Sequence, residues 1–295
     1  MSEILAIDLG GTAIKSAILS ETNELLDTRS TPTPQNDATG HAAIEALSAL
    51  IKSYQSSHNF DRVGLVIPGL VDTQLGVSVF TGTLGWRNLP ITEALTQKTR
   101  LPVHLDHDVT AAGLAELTLG ASAPFQNSVL IQIGTGIASA IVLNGSIYRP
   151  HQQVGEIGHA SVGNDRPCPC GLKGCLEMTA SGGAISRTYF SRTGQLVAPI
   201  DIFKRSQAGE PDAQAVWNEM VDALALSFSW LASTIAPEAI IMGGGISQAG
   251  EPFANAVEAR LKECLSIHKL PKILISTLSD QAACLGAGLM ARTRS

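Results

Sequence analysis

The sequence has no surplus of positive charge, no long apolar run and few cysteines. Lysine and arginine total 20 against 26 aspartates and glutamates, a net charge of −6. That balance argues against broad electrostatic attraction to nucleic acid or an anionic membrane. The first residues, MSEILAIDLGG, lack a basic segment leading into an apolar core, so no signal peptide is expected. The most apolar stretch, Val129 to Leu143, is too short to span a bilayer and is broken by Gln132, glycines and a threonine. These absences point to a cytoplasmic protein. The 295 residues, 44% of them hydrophobic and 16% charged, suit one large or two ordinary soluble domains.

Strand-like and helix-like stretches alternate, which argues for α/β architecture. Strands are expected at Ile4 to Leu9, Ile14 to Leu19, Val63 to Ile67, Val103 to Leu105, Ala239 to Met242 and Lys272 to Ser276. Helices are expected at Ala42 to Tyr54, Ile91 to Lys98, Val109 to Leu119, Ala213 to Ile235, Phe253 to Cys264 and Ala282 to Ala291. TPTPQNDATG reads as a loop, and the segment around GTLGW as loop-rich. The informative feature is a repetition: ILAIDLGGTAIKSAIL from Ile4 and VLIQIGTGIASAIVL from Val129 share one plan of strand, Gly/Thr turn and strand. Either two unrelated hairpins use glycine turns, or a duplicated domain presents two hairpins across a cleft and holds a phosphate chain between them.

Gly10, Gly11 and Thr12 follow Asp8 at a strand end, and Gly134, Thr135 and Gly136 repeat the pattern. Small residues let backbone N–H groups approach phosphate oxygens, and Asp8 suits Mg²⁺. Neither turn is a P-loop or a GxGxxG fingerprint. Gly243, Gly244 and Gly245 follow a buried strand; they either admit a flat nucleoside or form a tight strand-to-helix connection. Asp108, where a strand meets a helix, is either an N-cap, a role Asp106 also suits, or a general base for a hydroxyl.

Three of the five cysteines lie within eight residues. His159, Cys168, Cys170 and Cys175 give H-x8-C-x-C-x4-C, the ligand number of structural Zn²⁺, with metal-free buried thiols as the alternative. Gly171 and Gly174 allow the chain to fold tightly there. Cys264 and Cys284 read as small buried apolar residues. A histidine that gives one ring nitrogen to metal keeps the other as a directed donor. Glu156 and Glu177 bracket the cluster, and two carboxylates with an imidazole N–H suit adjacent sugar hydroxyls.

These residues resemble the repressor–ORF–kinase (ROK) family of sugar kinases, through GEIGH with CPCGLKGCLE, DLGGT, IGTGI, IMGGGIS, PGLVD, LGW and HDVTAAGLAE. The resemblance covers Ile4 to about Ala291. It implies the two-lobed actin-like ATPase fold, with duplicated ribonuclease H-like domains and a cleft between lobes. The division expected is a small lobe of residues 1–119 completed by 281–295, and a large lobe of 120–280 holding the zinc loop. By the same resemblance Asp108 is the catalytic base, and Gly69, Thr83, His107, Asp108, Glu156, His159 and Glu177 form the sugar site. Asp8, the two Gly/Thr turns and Gly243 to Gly245 bind ATP, and zinc is held by His159, Cys168, Cys170 and Cys175.

Ala13 replaces a frequent lysine, GIASA replaces GIGGG, and His107 and Thr83 replace asparagines. The implied activity is ATP- and Mg²⁺-dependent phosphorylation of an aldohexose 6-hydroxyl, glucose first. N-acetylmannosamine, mannose, allose and N-acetylglucosamine are alternatives, and polyphosphate stays open as donor. A catalytically weak sugar sensor is a further alternative. A transcriptional repressor is disfavoured, since relatives of that kind carry a DNA-binding region where this sequence has Met1, Ser2 and Glu3. A homodimer is expected, with no nucleic-acid or membrane partner.

Overall fold

The computed structural model describes residues 3–294. Met1, Ser2 and Ser295, which enter the expected lobe limits and the argument from the leading segment, lie outside the described residues. The chain forms β1 (Glu3–Leu9), β2 (Ala13–Leu19), β3 (Leu25–Pro32), α1 (His41–Gln55), β4 (Phe60–Ile67), β5 (Leu70–Asp72), β6 (Val77–Thr81), β7 (Trp86–Leu89), α2 (Ile91–Thr99), β8 (Val103–His107) and α3 (Asp108–Leu119). It continues through β9 (Ser128–Ile133), β10 (Ile137–Leu143), β11 (Ser146–Ile147), α4 (Glu177–Ala180), α5 (Gly182–Thr193), α6 (Pro199–Gln207), α7 (Pro211–Thr234), β12 (Ala239–Gly243), α8 (Gly250–Cys264), β13 (Lys272–Ile275) and α9 (Ala282–Thr293).

The chain divides into two compact units. The first holds residues up to Ala115, Arg149–Gln153 and the segment from Gln281; the second holds Glu116–Tyr148 and Val154–Asp280. In the first, a five-stranded sheet runs β3-β2-β1-β4-β8. In the second, a five-stranded sheet runs β11-β10-β9-β12-β13. Numbered within each sheet, both read third, second, first, fourth, fifth. In both, the hairpin partners are antiparallel and the last two strands join in parallel. The repeated sequence pattern is therefore a repeated topology.

Each sheet packs its own core. Leu5, Ile7 and Leu9 of β1 pack with Leu47 and Ile51 of α1. Val129 and Ile131 of β9 pack with Met220, Leu224 and Phe228 of α7. β1 and β12 read as nearly unbroken apolar runs because central parallel strands are covered on both faces. Small residues let α9 approach β4: a Cβ at Gly64 would strike the Ala287 carbonyl.

Four features differ from the sequence reading, the first being Cys264, which is exposed rather than buried. The segment around GTLGW is not merely loop-rich: β5, β6 and β7 form a three-stranded antiparallel sheet. Its strands, of three, five and four residues, are too short for alternation to show. Glu116–Leu119 belongs to the second unit rather than the first. Buried Glu116 explains this, since it accepts hydrogen bonds from Ser276 Oγ and from the Ala121 and Leu278 N–H groups. Arg149–Gln153 belongs to the first unit, where Arg149 pairs with Asp106 and Gln152 Nε2 reaches Asp72 Oδ2 at 3.4 Å.

Candidate active site

In the first unit, Gly10 to Thr12 make the turn between β1 and β2. Gly10 N–H donates to the Ala13 carbonyl at 3.0 Å. The carbonyls of this turn are tied back: Thr33 Oγ1 donates to Gly10 O at 2.7 Å, Gln35 Nε2 to Gly11 O at 3.0 Å, and Thr33 N–H to Thr12 O at 3.0 Å. Among the described residues, the Gly11 and Thr12 N–H groups meet no protein acceptor. Adjacent N–H groups held this way make an anion-binding concavity. Asp8 is half-buried at the end of β1. The Thr83 methyl lies against Gly11, 2.8 Å from where a Cβ there would sit.

The second unit repeats the device at Gly134 to Gly136. Gly134 N–H donates to Gly136 O at 2.9 Å, and Gly134 O accepts from Gly182 N–H, at the start of α5, at 2.8 Å. Ile137 N–H donates to Glu177 Oε2 at 2.8 Å. What remains, among the described residues, is again a pair of N–H groups without a protein acceptor, those of Thr135 and Gly136. A Cβ at Gly134 would meet no heavy atom within 4 Å.

Of the third glycine run, Gly243 and Gly244 serve packing. A Cβ on Gly243 would lie 2.7 Å from Gln132 Oε1, and one on Gly244 would lie 2.5 Å from the Ile133 carbonyl oxygen. Gly244 also sits at φ 83°, which costs any other residue. Only Gly245 of the three faces open space. Gly244→Ala is therefore expected to destabilise the fold by about 1–3 kcal/mol, whereas Gly134→Ala should stay within about 0.5 kcal/mol of wild type. Thermal denaturation of the two variants checks this contrast.

Asp108 opens α3. Its Oδ1 accepts from Val109 N–H at 2.7 Å and lies 3.2 Å from His107 Nε2. A capping aspartate sits before the helix and accepts from its second or third N–H. Asp108 is already helical and makes neither bond. Asp106 does not cap either: only 4% exposed, it accepts from His107 N–H at 2.7 Å, Arg294 Nη2 at 2.9 Å and Arg149 Nη1. Two guanidiniums thus balance this buried carboxylate, one residue before the end of β8. His107 places Nδ1 3.4 Å from Thr110 Oγ1. Gly69 has φ 92°, and a Cβ there would strike the Phe80 carbonyl, so this glycine is required by the β5–β6 sheet itself.

In the second unit, the donor atoms of His159, Cys168, Cys170 and Cys175 all lie within 4.8 Å of one another. Cys168 Sγ is 3.6 Å from His159 Nδ1, and Cys170 Sγ is 3.6 Å from Cys175 Sγ. Tetrahedral Zn–S bonds of about 2.3 Å would set sulfurs about 3.8 Å apart, so this donor set fits zinc. The thiols are free. Burial pushes the Cys175 thiol up to about 12 and raises Cys168, while the Leu172 backbone N–H lowers Cys170. A divalent cation is what turns such buried thiols into thiolates.

His159 turns Nδ1 towards the thiols, and its Nε2 lies 4.0 Å from Glu156 Oε2. The structure thus brings Glu156 and His159 together, while one oxygen of Glu177 is taken by Ile137 N–H. Sequence reasoning missed Thr33, Gln35 and Arg149. Thr33 and Gln35 lie in TPTPQ, whose composition signals only a loop. Nothing local marks Arg149 as the partner of Asp106.

A model of the ROK family matches residues 4–294. A glucokinase from Halalkalibacterium halodurans is 30% identical, over 98% of this chain and 94% of its own. An N-acetylmannosamine kinase from Vibrio cholerae is also 30% identical, over 95% of this chain and 96% of its own. The crystal structure of a ROK family glucokinase from Streptomyces griseus in complex with glucose and AMPPNP matches with a TM-score of 0.87 at 25% identity. That match covers 99% of this chain and 100% of the other.

Proposed function

The chain belongs to the ROK family and has the actin-like ATPase fold of its kinases, and from that premise we propose that it is an ATP-dependent hexose kinase acting on the 6-hydroxyl of glucose. The observation that carries this reading is the pair of Gly/Thr turns. Each presents two adjacent N–H groups without a protein acceptor among the described residues, in a chain whose relatives include glucokinases. One such turn is common. Two at equivalent places in a duplicated sheet are each a concavity suited to phosphate oxygens.

The residues divide the work. Gly11 and Thr12 in one unit, and Thr135 and Gly136 in the other, donate to phosphate oxygens. Gly245 leaves room for the nucleoside. Glu156, His159 and Glu177 accept from or donate to sugar hydroxyls, with Gly69, Thr83 and His107 shaping the sugar site of the first unit. Asp108 takes the proton of the hexose hydroxyl, whose oxygen attacks the γ-phosphorus as ADP leaves. Mg²⁺, when bound, neutralises phosphate charge, and Asp8 is the hard oxygen donor placed to hold it, directly or through water. Zinc on His159, Cys168, Cys170 and Cys175, when bound, fixes the turn that carries the sugar-binding side chains. Assembly as a homodimer is part of the proposal and is read by light scattering. No described helix is long and apolar enough to cross a membrane.

ADP release from Mg-ATP across glucose, mannose, allose, N-acetylglucosamine and N-acetylmannosamine tests the reading. A kcat/KM for glucose above that of every other sugar is expected. A response led by N-acetylmannosamine would move the substrate within the same chemistry. Inertness towards all five would sink the kinase reading. Gly134→Ala should weaken binding of a non-hydrolysable ATP analogue while the fold is kept.

A further inference from the structure

Glu177 makes a contact that sugar binding does not require. Its Oε2 accepts the Ile137 N–H at 2.8 Å, the first backbone donor after the turn at Gly134 to Gly136. The same oxygen lies 2.5 Å from where a Cβ on Gly136 would sit, so the absent side chain at Gly136 makes room for the carboxylate. The stretch that places Glu177 is itself well anchored. Cys175 bridges to Ser161 in antiparallel fashion, Leu176 N–H donates to Ala160 O at 2.8 Å, and α4 begins at Glu177. The cysteine-rich turn is also stitched to β10 further along. Ser139 N–H donates to Gly155 O at 2.7 Å, and a Cβ at Gly158 would strike the Ile137 carbonyl.

In the turn, the Gly134 N–H, Gly134 O and Gly136 O are bonded to other backbone groups. Glu177 takes the Ile137 N–H. Without that acceptor, the Gly136–Ile137 peptide would be held through Gly136 O alone, and the direction of the neighbouring Gly136 N–H would be less firmly set. A charged acceptor on a backbone donor is among the stronger hydrogen bonds available for holding a peptide plane.

We propose that Glu177 is a positioning residue for the second phosphate loop, so that the cysteine-rich turn orients the nucleotide-binding backbone as well as the sugar. The proposal rests on the kinase reading of the same site. It assigns Oε2 to the loop and leaves Oε1 for a sugar hydroxyl.

The test is the dissociation constant of a non-hydrolysable ATP analogue measured with no sugar present, for wild type, Glu177→Ala, Glu177→Asp and Glu177→Gln. Metal content and melting temperature are recorded for each. Alanine removes the acceptor, and aspartate is one methylene too short to reach Ile137. Both should weaken the analogue about tenfold, the usual worth of a hydrogen bond to a charged group. Glutamine keeps an oxygen at the right reach and should stay within about threefold of wild type. A role confined to sugar binding predicts unchanged analogue affinity in all three variants, and that result overturns the proposal. Should Glu177→Ala not fold, Glu177→Asp decides alone, and equality with wild type has the same meaning. A wild-type protein that binds no analogue would instead sink the kinase reading.

Discussion

Replacing Asp108 by asparagine is expected to lower kcat by about 10²–10⁴-fold, the usual contribution of a general base, with KM for the sugar little changed. The geometry makes this substitution unusually clean. Oδ1 accepts from Val109 N–H at 2.7 Å, and an asparagine oxygen satisfies that donor equally well. The amide is then held with its oxygen on Val109, which puts the NH₂ group where Oδ2 was. Among the described residues no protein donor occupies Oδ2, so that oxygen is the one available to a substrate hydroxyl. An amide nitrogen cannot accept a proton, so deprotonation of the attacking hydroxyl fails while shape is conserved. Steady-state kinetics with glucose and Mg-ATP, together with melting temperature, read the outcome. A variant that keeps more than a tenth of wild-type kcat would remove Asp108 from the role of base. A loss confined to KM would recast it as a sugar-binding group.

What made Asp108 conspicuous is instructive. The preceding residues alternate as a strand and the following ones repeat as a helix, so the residue at the junction stands out in the sequence. The two hairpins at Ile4 and Val129 were equally legible, because buried strands flanking a glycine turn leave a pattern only a few residues long. So was the donor set from His159 to Cys175, whose spacing is local. The unreadable parts are polar contacts between distant positions. Ile137 and Glu177 are forty residues apart, and Asp106 and Arg149 forty-three. Such pairs have no period, and each charged partner alone looks like ordinary surface charge, while Ile137 contributes only its backbone N–H. The sheet of β5, β6 and β7 was missed for a related reason: its strands of three to five residues are shorter than the window over which alternation can be recognised.

Removing zinc is expected to abolish sugar binding before it unfolds either core. The segment from Ala160 to Leu176 holds itself by few means. Two isolated antiparallel bridges, Ser161 with Cys175 and Pro167 with Lys173, and a handful of backbone bonds are its regular structure. Leu172 is 59% exposed, and the buried apolar contribution comes from Cys168, Cys175 and Leu176. Ordering a residue costs about 1–2 kcal/mol, so a turn of this length needs a stronger tie than these contacts. Four ligands on one ion would provide it; structural zinc in finger peptides is worth about 10–16 kcal/mol at neutral pH. His159 and Glu177 lie inside or beside this turn, and Glu156 is aligned on His159 Nε2. Chelation should therefore release one zinc per chain and cost glucose affinity, while most of the circular dichroism signal persists, because the turn gives the two sheet cores only Leu176 and the flanking Val162. Cys175→Ser should reproduce the loss without chelator, since its sulfur is fully buried and a hydroxyl is a poor zinc ligand. Metal analysis alongside titration calorimetry with glucose reads both effects. Full glucose affinity in protein holding no metal would show that the thiols pack without an ion, and would leave the sugar site to the fold alone.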